Sequence, residues 1–305
     1  MESPMQIKKT LSRASAAALA CLLLACASST KPGVVGITRQ QFLMVPAATV
    51  EKMALVSYAQ QNQKARDDGQ LITSGPEYER LERIALRLRQ HVEIFREDTR
   101  DWKWQLTLID APVINATCAP GGKITFYTGI VRKLALTDDE IAAIMGHEIA
   151  HALREHGRER ISQAYAQNML TGVALAATNN SNQIALANQF AHYLYTLPNS
   201  RQNESEADAV GLELAARAGY DPAAAIGLWK KMAAESGEKS PPQFLSTHPA
   251  PATRIDEISA LLPKVLPLYQ AAHRPEPLPP ASEAGAPPPA PAAATAAKRP
   301  TRKPK

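Results

Sequence analysis

The chain has 305 residues, of which 45% are hydrophobic and 21% are charged, and its formal net charge is +5. The length exceeds that of an average domain, but both ends are too biased in composition to form a core, which leaves roughly 200 residues for one sizeable domain. The excess positive charge lies largely in these two ends, so it does not argue for nucleic acid as a partner.

Residues 1–25 have the composition of a secretory signal. Three basic residues precede an apolar run over 14–25, which is too short to span a membrane. The run ends in Leu23-Leu24-Ala25-Cys26, which resembles a bacterial lipobox. That resemblance implies lipidation of Cys26 and a lipid-anchored periplasmic protein, in the outer membrane because no aspartate follows the cysteine. The alternatives are lipidation at Cys21 and an ordinary cleaved signal.

Cys118 would be the only thiol left in a mature chain that begins with an acylated cysteine. Such a chain has no intrachain disulfide, even in an oxidising compartment. Because Cys118 lies among apolar and small residues, we expect it to be a buried packing residue.

The first part of the core is predicted to be helical. Residues 26–70 form a tether and an N-terminal helical segment, with a helix over 50–63. Pro76 suits the first position of a second helix, because Leu81, Ile84 and Leu88 follow it at helical spacing. We therefore expect this helix to open a folded domain over 71–268.

Strands and then further helices follow. Alternation of apolar and polar residues from Trp102 to Leu108 predicts a half-buried strand, and residues 123–127 a second one after the Gly121-Gly122 turn. Thr137 and Glu140 form a capping-box pattern ahead of an apolar helix, and residues from about 185 to 262 have helical periodicity. Strands ahead of helices predict the α+β class rather than a wound parallel sheet.

The helix that follows Thr137 carries His147-Glu148-Ile149-Ala150-His151. Because a helix advances about 100° per residue, the two histidines lie roughly 40° apart on one face. Two imidazoles in this arrangement can bind one Zn²⁺, and Glu148 beside them can take a proton from water. The alternative is an exposed helix that carries these residues by chance.

A catalytic zinc needs a third protein ligand, and the acidic cluster 204–208 offers one. Glu204 and Asp208 are four residues apart, so Glu204 can bind the metal while Asp208 orients a ligating histidine. Glu206, the alternative ligand, lies some 200° away from Glu204. His156 is about 140° around the helix from His151, which predicts a helix-end residue off the metal face.

Residues 269–305 are predicted to be a disordered tail rich in proline, alanine and basic residues. The segment holds ten of the chain's 24 prolines, and it cannot bury enough apolar area to offset the entropy of ordering it. Its basic end could bind anionic envelope components, although solvated charge without a partner explains it equally well.

Three motifs in order make the sequence similar to the M48 metallopeptidases: Gly146 to His151, Glu204 to Asp208, and His248-Pro249 with Arg254. The resemblance runs from about residue 76 to 262 and is strongest with a small soluble bacterial branch, many members of which are periplasmic lipoproteins. It also covers residues 115–124, which match the edge-strand segment that precedes the zinc helix in this family.

The resemblance implies an α+β zincin-like domain with one Zn²⁺ per chain, bound by His147, His151 and Glu204. Glu148 would be the general base. A small sheet whose edge strand borders the active site would bind substrate through Ala116, Thr117, Cys118 and Ala119 by strand addition. Such pairing recognises the main chain of a substrate more than its side chains, so we expect a broad preference for unfolded polypeptides.

His248 and Arg254 would lie near the active site in the same family, where either could stabilise an oxyanion. His248 has a second option, which is to occupy the open zinc position and keep the enzyme latent. The alternative is a histidine at a helix entry and a surface arginine.

The predicted function is therefore a zinc metalloendopeptidase that cleaves unfolded or misassembled proteins of the bacterial cell envelope. Its expected partners are these polypeptides, the membrane through an N-terminal lipid, and anionic envelope components through the tail. The rival hypothesis is a tethered chaperone or assembly factor for outer-membrane proteins that rarely cuts them. An intact Glu148 favours catalysis, because a pure binding protein does not need that carboxylate.

Overall fold

The computed structural model describes residues 26–170, 192, 198–235, 243–249 and 253–272. The predicted signal and the tail from residue 273 onward lie outside these ranges. The chain divides into two units, residues 1–273 and 274–305, and everything described belongs to the first.

The described part begins with an extended segment that is packed onto the rest of the domain. Strands β1 (Cys26–Ala27) and β2 (Gln41–Phe42) pair antiparallel, and α1 (Ala47–Asp67) follows. Val35 lies in the main hydrophobic core, at 5% exposure. The segment predicted to be a tether is therefore part of the domain's packing, and the helix predicted over 50–63 is present and longer at both ends.

A four-stranded mixed sheet forms one side of the core. Its strands are β3 (Leu71–Ile72), β4 (Gln105–Ile109), β5 (Ala116–Ala119) and β6 (Lys123–Tyr127). The order is β3-β4-β6-β5, with β4 and β6 parallel and the other two pairs antiparallel. Strand β5 therefore lies at an edge.

The sequence predicted the two central strands with different accuracy. Strand β6 has the predicted bounds, after a turn in which Gly121 and Gly122 adopt positive φ angles of 76° and 75°. Strand β4 starts at Gln105, three residues after the predicted start at Trp102. Gln105 is opposite Lys123, the first residue of β6, so the two tryptophans have no strand partner.

The remaining described elements are helical. Pro76 is the first residue of its helix, and Thr137 and Glu140 form the predicted capping box, with Glu140 N–H donating to Thr137 Oγ1 and Thr137 N–H to Glu140 Oε2. The α-helices are α2 (Pro76–Arg89), α3 (Thr128–Lys133), α4 (Asp138–Leu153), α5 (His156–Leu170), α6 (Arg201–Arg217), α7 (Ala224–Glu235), α8 (Gln243–Thr247) and α9 (Arg254–Ala272).

The last helix corrects the predicted start of the tail. Helix α9 continues to Ala272, four residues beyond Leu268. Tyr269 packs against the hydrophobic core, and this burial extends the helix past the boundary that composition alone suggested. Among the described residues, no helix has both the length and the apolar character needed to cross a bilayer.

Helix α4 lies at the centre of the domain, packed against the sheet on one side and α6 on the other. Every residue from Glu140 to Leu153 is buried. Helices α4 and α6 cross at two glycines: a Cβ at Gly211 would lie 2.7 Å from His147 N, and one at Gly146 would lie 2.9 Å from Gly211 O. This close crossing brings the histidine motif of α4 and the acidic cluster of α6 together. The small mixed sheet and the helices packed against it confirm the predicted α+β class.

Candidate metal centre

Helix α4 presents the first two candidate ligands in the interior. His147 and His151 are 4% and 8% exposed, and their Nε2 atoms are 3.0 Å apart. The helical spacing of four residues accounts for this, because it places both rings on one face.

Helix α6 supplies a carboxylate to the same point. Glu204 Oε2 is 3.4 Å from His147 Nε2, and Glu204 Oε1 is 3.3 Å from His151 Nε2. Ser200 caps this helix by accepting from Asn203 N–H, so Glu204 lies in its first turn. Burial alone would raise the pKa of Glu204, but His248, His147 and His151 together hold it well below its usual value. The group is therefore a carboxylate, as a metal ligand must be.

His248 completes the cluster from the residue that follows α8. Its Nδ1 is 3.1 Å from Glu204 Oε1 and 3.3 Å from His147 Nε2. One potential ligand atom from each of His147, His151, Glu204 and His248 lies within 4.8 Å of the others. Three imidazole nitrogens and one carboxylate oxygen form a donor set that Zn²⁺ prefers, so the residues present fit this metal.

Glu148 faces the same cluster with one oxygen unpaired. Its side chain is buried, Oε1 has no hydrogen-bond partner, and this atom is 3.4 Å from His248 Nε2. Burial raises the pKa of Glu148, although the nearby His248 and His147 oppose that effect. A carboxylate with a raised pKa and a free lone pair is suited to accept and return a proton.

Asp208 and Arg254 lie behind the histidine ligands. Asp208 Oδ1 is 2.9 Å from His147 Nδ1, on the side of the ring away from Nε2. Burial alone would lower the pKa of His147, but hydrogen bonds and charge from Asp208 and Glu204 raise it to about 9. Asp208 thus stands where a residue that orients His147 is needed.

The contacts of Arg254 favour a positioning role over the predicted stabilisation of an oxyanion. Its Nε and Nη2 donate to the two oxygens of Asp208 at 2.6 and 2.7 Å, and Nη1 donates to Glu204 Oε2 at 2.9 Å. The guanidinium carbon also lies 3.5 Å from the centre of the Trp229 ring. All three nitrogens are thereby engaged in the protein, so the guanidinium orients two carboxylates instead of facing a substrate carbonyl.

The predicted substrate segment borders this cluster, but it is less exposed than expected. Ala116 and Ala119 are fully buried, Cys118 is 4% exposed, and only Thr117 keeps partial exposure. Cys118 is buried, so it is the packing residue that its neighbours suggested, and this burial raises the pKa of its thiol. Thr117 and Cys118 line a small pocket together with Glu148, His151 and His248.

Two asparagines that the sequence did not single out line the same pocket. Asn115 Oδ1 and Asn199 Oδ1 are buried without a hydrogen-bond partner, as is Thr117 Oγ1. Asn199 Nδ2 donates to Thr247 O at 3.3 Å, which leaves its carbonyl oxygen for the pocket. Buried acceptors without partners are rare in folded proteins, so their convergence beside Glu148 marks a place where a ligand's donors can bind.

His156 lies at a helix end and outside the group of candidate ligands, as predicted, but the rotation used to predict this does not apply. Helix α4 ends at Leu153, Glu155 adopts a positive φ of 50°, and a new helix begins at His156. This break turns the chain, so the rotation calculated for one continuous helix does not apply. His156 Nδ1 lies 2.8 Å from His151 Nδ1, directly behind the ligand, and Glu206 Oε2 is 3.2 Å from His156 Nε2.

Comparison with known proteins agrees with this geometry. The model of peptidase family M48 matches residues 77–262, more than half of the chain. Mitochondrial metalloendopeptidase OMA1 of Schizosaccharomyces pombe is 37% identical over 169 residues, which are 54% of this chain and 48% of the relative. Metalloendopeptidase OMA1, mitochondrial, of Danio rerio is 32% identical over 221 residues, 68% of this chain and 46% of the relative.

A bacterial protein is also similar. The beta-barrel assembly-enhancing protease of Escherichia coli is 29% identical over 157 residues, 48% of this chain and 32% of the relative. The chain therefore spans about half or less of the length of the relatives that it matches.

The comparison overturns the predicted location. Six relatives are mitochondrial OMA1 proteins, which contradicts the periplasmic location with an outer-membrane anchor. Basic residues occur in secretory signals and in mitochondrial transit peptides, so the basic start of the chain does not by itself separate the two. Residues 1–25 lie outside the described ranges, and Cys26 is the first residue of β1; its lipidation stays a prediction.

Proposed function

The chain belongs to peptidase family M48, and on that premise we propose that it is a zinc-dependent endopeptidase of protein quality control that cleaves unfolded or misassembled polypeptides. The observation that carries the proposal is the buried Glu148 Oε1, unpaired and 3.4 Å from His248 beside a His-His-Glu donor set. A protein that only binds polypeptides gains nothing from a buried carboxylate oxygen that lacks a hydrogen-bond partner.

The proposed zinc ligands are His147, His151 and Glu204. When bound, zinc supplies the Lewis acidity that activates water and polarises a peptide carbonyl. Glu148 accepts the proton of the attacking water at Oε1 and then gives it to the leaving amine. The raised pKa of Glu148 makes the carboxylate a stronger base for the first transfer, and its protonated form is then the acid for the second.

Substrate binding is proposed for the pocket between β5 and Glu148. An extended polypeptide beside Thr117 and Cys118 would present its N–H groups to the unpaired oxygens of Asn115, Asn199 and Thr117. Backbone N–H groups occur in every polypeptide, so this mode of binding favours extended, unfolded chains over particular side chains. The same reasoning supports endopeptidase activity on misassembled proteins.

One observation favours a second candidate, a chaperone or assembly factor with latent proteolysis. His248 lies within the ligand cluster, 3.1 Å from Glu204 and 3.3 Å from His147. A fourth protein ligand would close the position that a catalytic zinc keeps for water. In this state the pocket would hold an unfolded chain without cutting it.

Degradation of casein by the full chain tests these two functions, with zinc content measured on every sample. Wild type should cleave casein, while Glu148→Gln should keep about one zinc per chain and lose cleavage. If wild type binds zinc but does not cleave, His248→Ala separates the candidates: new cleavage indicates latency, and continued inactivity supports a binding role. Absence of zinc from both wild type and Glu148→Gln would refute the proposed enzyme.

A further inference from the structure

His156 is the only described side chain that joins the proposed ligand His151 to a second, purely structural charge cluster. It is fully buried, and its two ring nitrogens are both engaged. Nδ1 is 2.8 Å from His151 Nδ1, and Nε2 is 3.2 Å from Glu206 Oε2. The roles already proposed for the three ligands and the general base do not require these two contacts of His156.

The hydrogen bonds allow one pattern of protons when His151 uses Nε2 for a metal. His151 Nδ1 must then carry the hydrogen and donate it to His156 Nδ1. His156 in turn must carry its hydrogen on Nε2 and donate it to Glu206.

Glu206 is itself held by two arginines. Arg154, which has no exposed surface, donates to Glu206 Oε2 from Nε at 3.0 Å and from Nη2 at 2.8 Å. Arg39 binds Glu206 from the other side and donates to Glu159 at 2.6 and 2.9 Å. The two arginines and two glutamates balance in charge, so a rigid, neutral cluster stands behind His156.

The N-terminal strap, defined here as residues 28–41, supplies part of this cluster. Besides Arg39, it contributes the Thr30 hydroxyl, which accepts from Arg154 Nη1 at 3.0 Å, and the Arg39 carbonyl, which accepts from Arg154 Nη2 at 3.0 Å. Gln41 also binds the Arg154 carbonyl. A segment more than 100 residues upstream of the histidine motif thus fixes the residues that hold His156.

We propose that His156 is a positioning residue that fixes the tautomer and the ring orientation of His151 for zinc binding, and that Arg39 of the N-terminal strap supports it through Glu206. The inference rests on the proposed function in one respect, the assignment of His151 as a zinc ligand. Loss of such an outer partner typically costs about 10- to 100-fold in metal affinity. We expect a loss in this range for His156→Leu, and a smaller one for Arg39→Met, which leaves the Arg154–Glu206 pair in place.

The test is the Zn²⁺ dissociation constant of the full chain, measured by competition with a chromophoric chelator. His156→Leu removes both hydrogen bonds, whereas His156→Gln retains an amide oxygen that can accept from His151 and an amide nitrogen that can donate to Glu206. We expect His156→Gln to recover most of the affinity that His156→Leu loses. Visible spectra of the Co²⁺ form should change for the leucine variant and return towards wild type for glutamine.

Ser162→Ala is the matched control for a merely structural effect. Ser162 is buried on the same helix α5, and its hydroxyl accepts from Val45 N–H at 3.0 Å, a contact that involves neither His151 nor His156. The Ser162→Ala substitution should lower the stability of the chain and leave its zinc affinity unchanged. Should His156→Leu misfold, Arg39→Met decides instead, because Arg39 lies at the partly exposed margin of the cluster.

Three results would overturn the inference. The first is a folded His156→Leu variant with the zinc affinity of wild type. The second is an equal loss of zinc affinity in His156→Gln and His156→Leu. The third, which applies if His156→Leu does not fold, is an unchanged zinc affinity in Arg39→Met. Failure of the proposed function looks different, because wild type itself would then bind no zinc, and both proposals would fall. Wild type that binds zinc but does not cut casein leaves the positioning role intact.

Discussion

The crossing of α4 and α6 makes Gly211→Ala a sharp test of how the metal site is assembled. An added Cβ would lie 2.7 Å from His147 N and 2.9 Å from Gly146 C. Carbon atoms in ordinary contact are about 3.5–4.0 Å from their neighbours, so the helices must separate by about 1 Å. Both obstructing atoms belong to the backbone of α4, which cannot turn aside as a side chain can.

The consequence for the site follows from where Glu204 and Asp208 lie. Both are on α6, within two turns of Gly211, while their partner His147 is on α4 at the crossing itself. Functional sites tolerate displacements of about 0.5 Å, and a misplacement of about 1 Å costs on the order of 100-fold in rate. We therefore expect casein cleavage by Gly211→Ala to fall by about that factor.

The expected change in the free energy of unfolding of Gly211→Ala is modest, because two effects oppose each other. Overpacking costs about 1–3 kcal/mol, whereas replacing glycine by alanine inside a helix contributes about 0.5–1 kcal/mol. The net expectation is a loss of about 0–2.5 kcal/mol in the free energy of unfolding, measured by denaturant titration of the metal-free chain.

Gly227→Ala is the control, because a Cβ there meets only Glu140 Oε1, at an ordinary 3.4 Å. This variant should gain about 0.5–1 kcal/mol in stability and keep wild-type cleavage. Gly211→Ala that cuts casein at the wild-type rate and gains as much stability as Gly227→Ala would refute the reasoning from the helix crossing.

Three further predictions concern buried groups. Arg254→Met leaves the carboxylates of Glu204 and Asp208 without their cation, so the free energy of unfolding of the metal-free chain, measured with urea, should fall by about 3–5 kcal/mol; a fall below about 1 kcal/mol would contradict this positioning role of Arg254. The partners of Glu206 hold its pKa at about 2, below the ordinary 4.5. The contribution of this carboxylate to stability is therefore complete above about pH 4.5 and is lost as the pH falls towards 2. The free energy of unfolding, measured from pH 7 down to pH 2, should show that Glu206→Gln is less stable than wild type at pH 7 and less sensitive to acid. Because burial raises the pKa of Cys118, its thiol should react with an aromatic disulfide reagent at pH 8 only after unfolding; rapid reaction of the native thiol, identified by its absence in Cys118→Ser, would show that the β5 edge opens.

The sequence alone predicted the features that depend on local geometry. The spacing of His147 and His151 places both rings on one helical face in any α-helix, and the capping box at Thr137 is complete within four residues. The pairing of Glu204 with Asp208 depends on the same periodicity. Strand β6 and the start of α2 at Pro76 likewise follow from short patterns of turn residues and apolar alternation.

Such local patterns did not predict the position of a residue that follows a turn of the chain. The positive φ of Glu155 ends α4 and carries His156 back behind His151, although the periodicity of a single helix would take it away from the metal face. The engagement of every Arg254 nitrogen depends on how α9 packs against α6, which no local spacing encodes.

The N-terminal strap shows the same limit most clearly. Composition predicted a tether over its length, because a short polar segment carries no periodic signal of its own. In the folded chain Arg39 contacts the buried carboxylates of Glu159 on α5 and Glu206 on α6, and Gln41 contacts the Arg154 carbonyl just after α4, all more than 100 residues away in sequence. Local hydrogen bonding and periodicity determined which residues could bind a metal and that Asp208 lies beside Glu204. Only the packing of distant segments placed His156 behind His151 and Arg39 beside Glu206, because those contacts exist only after the core has closed.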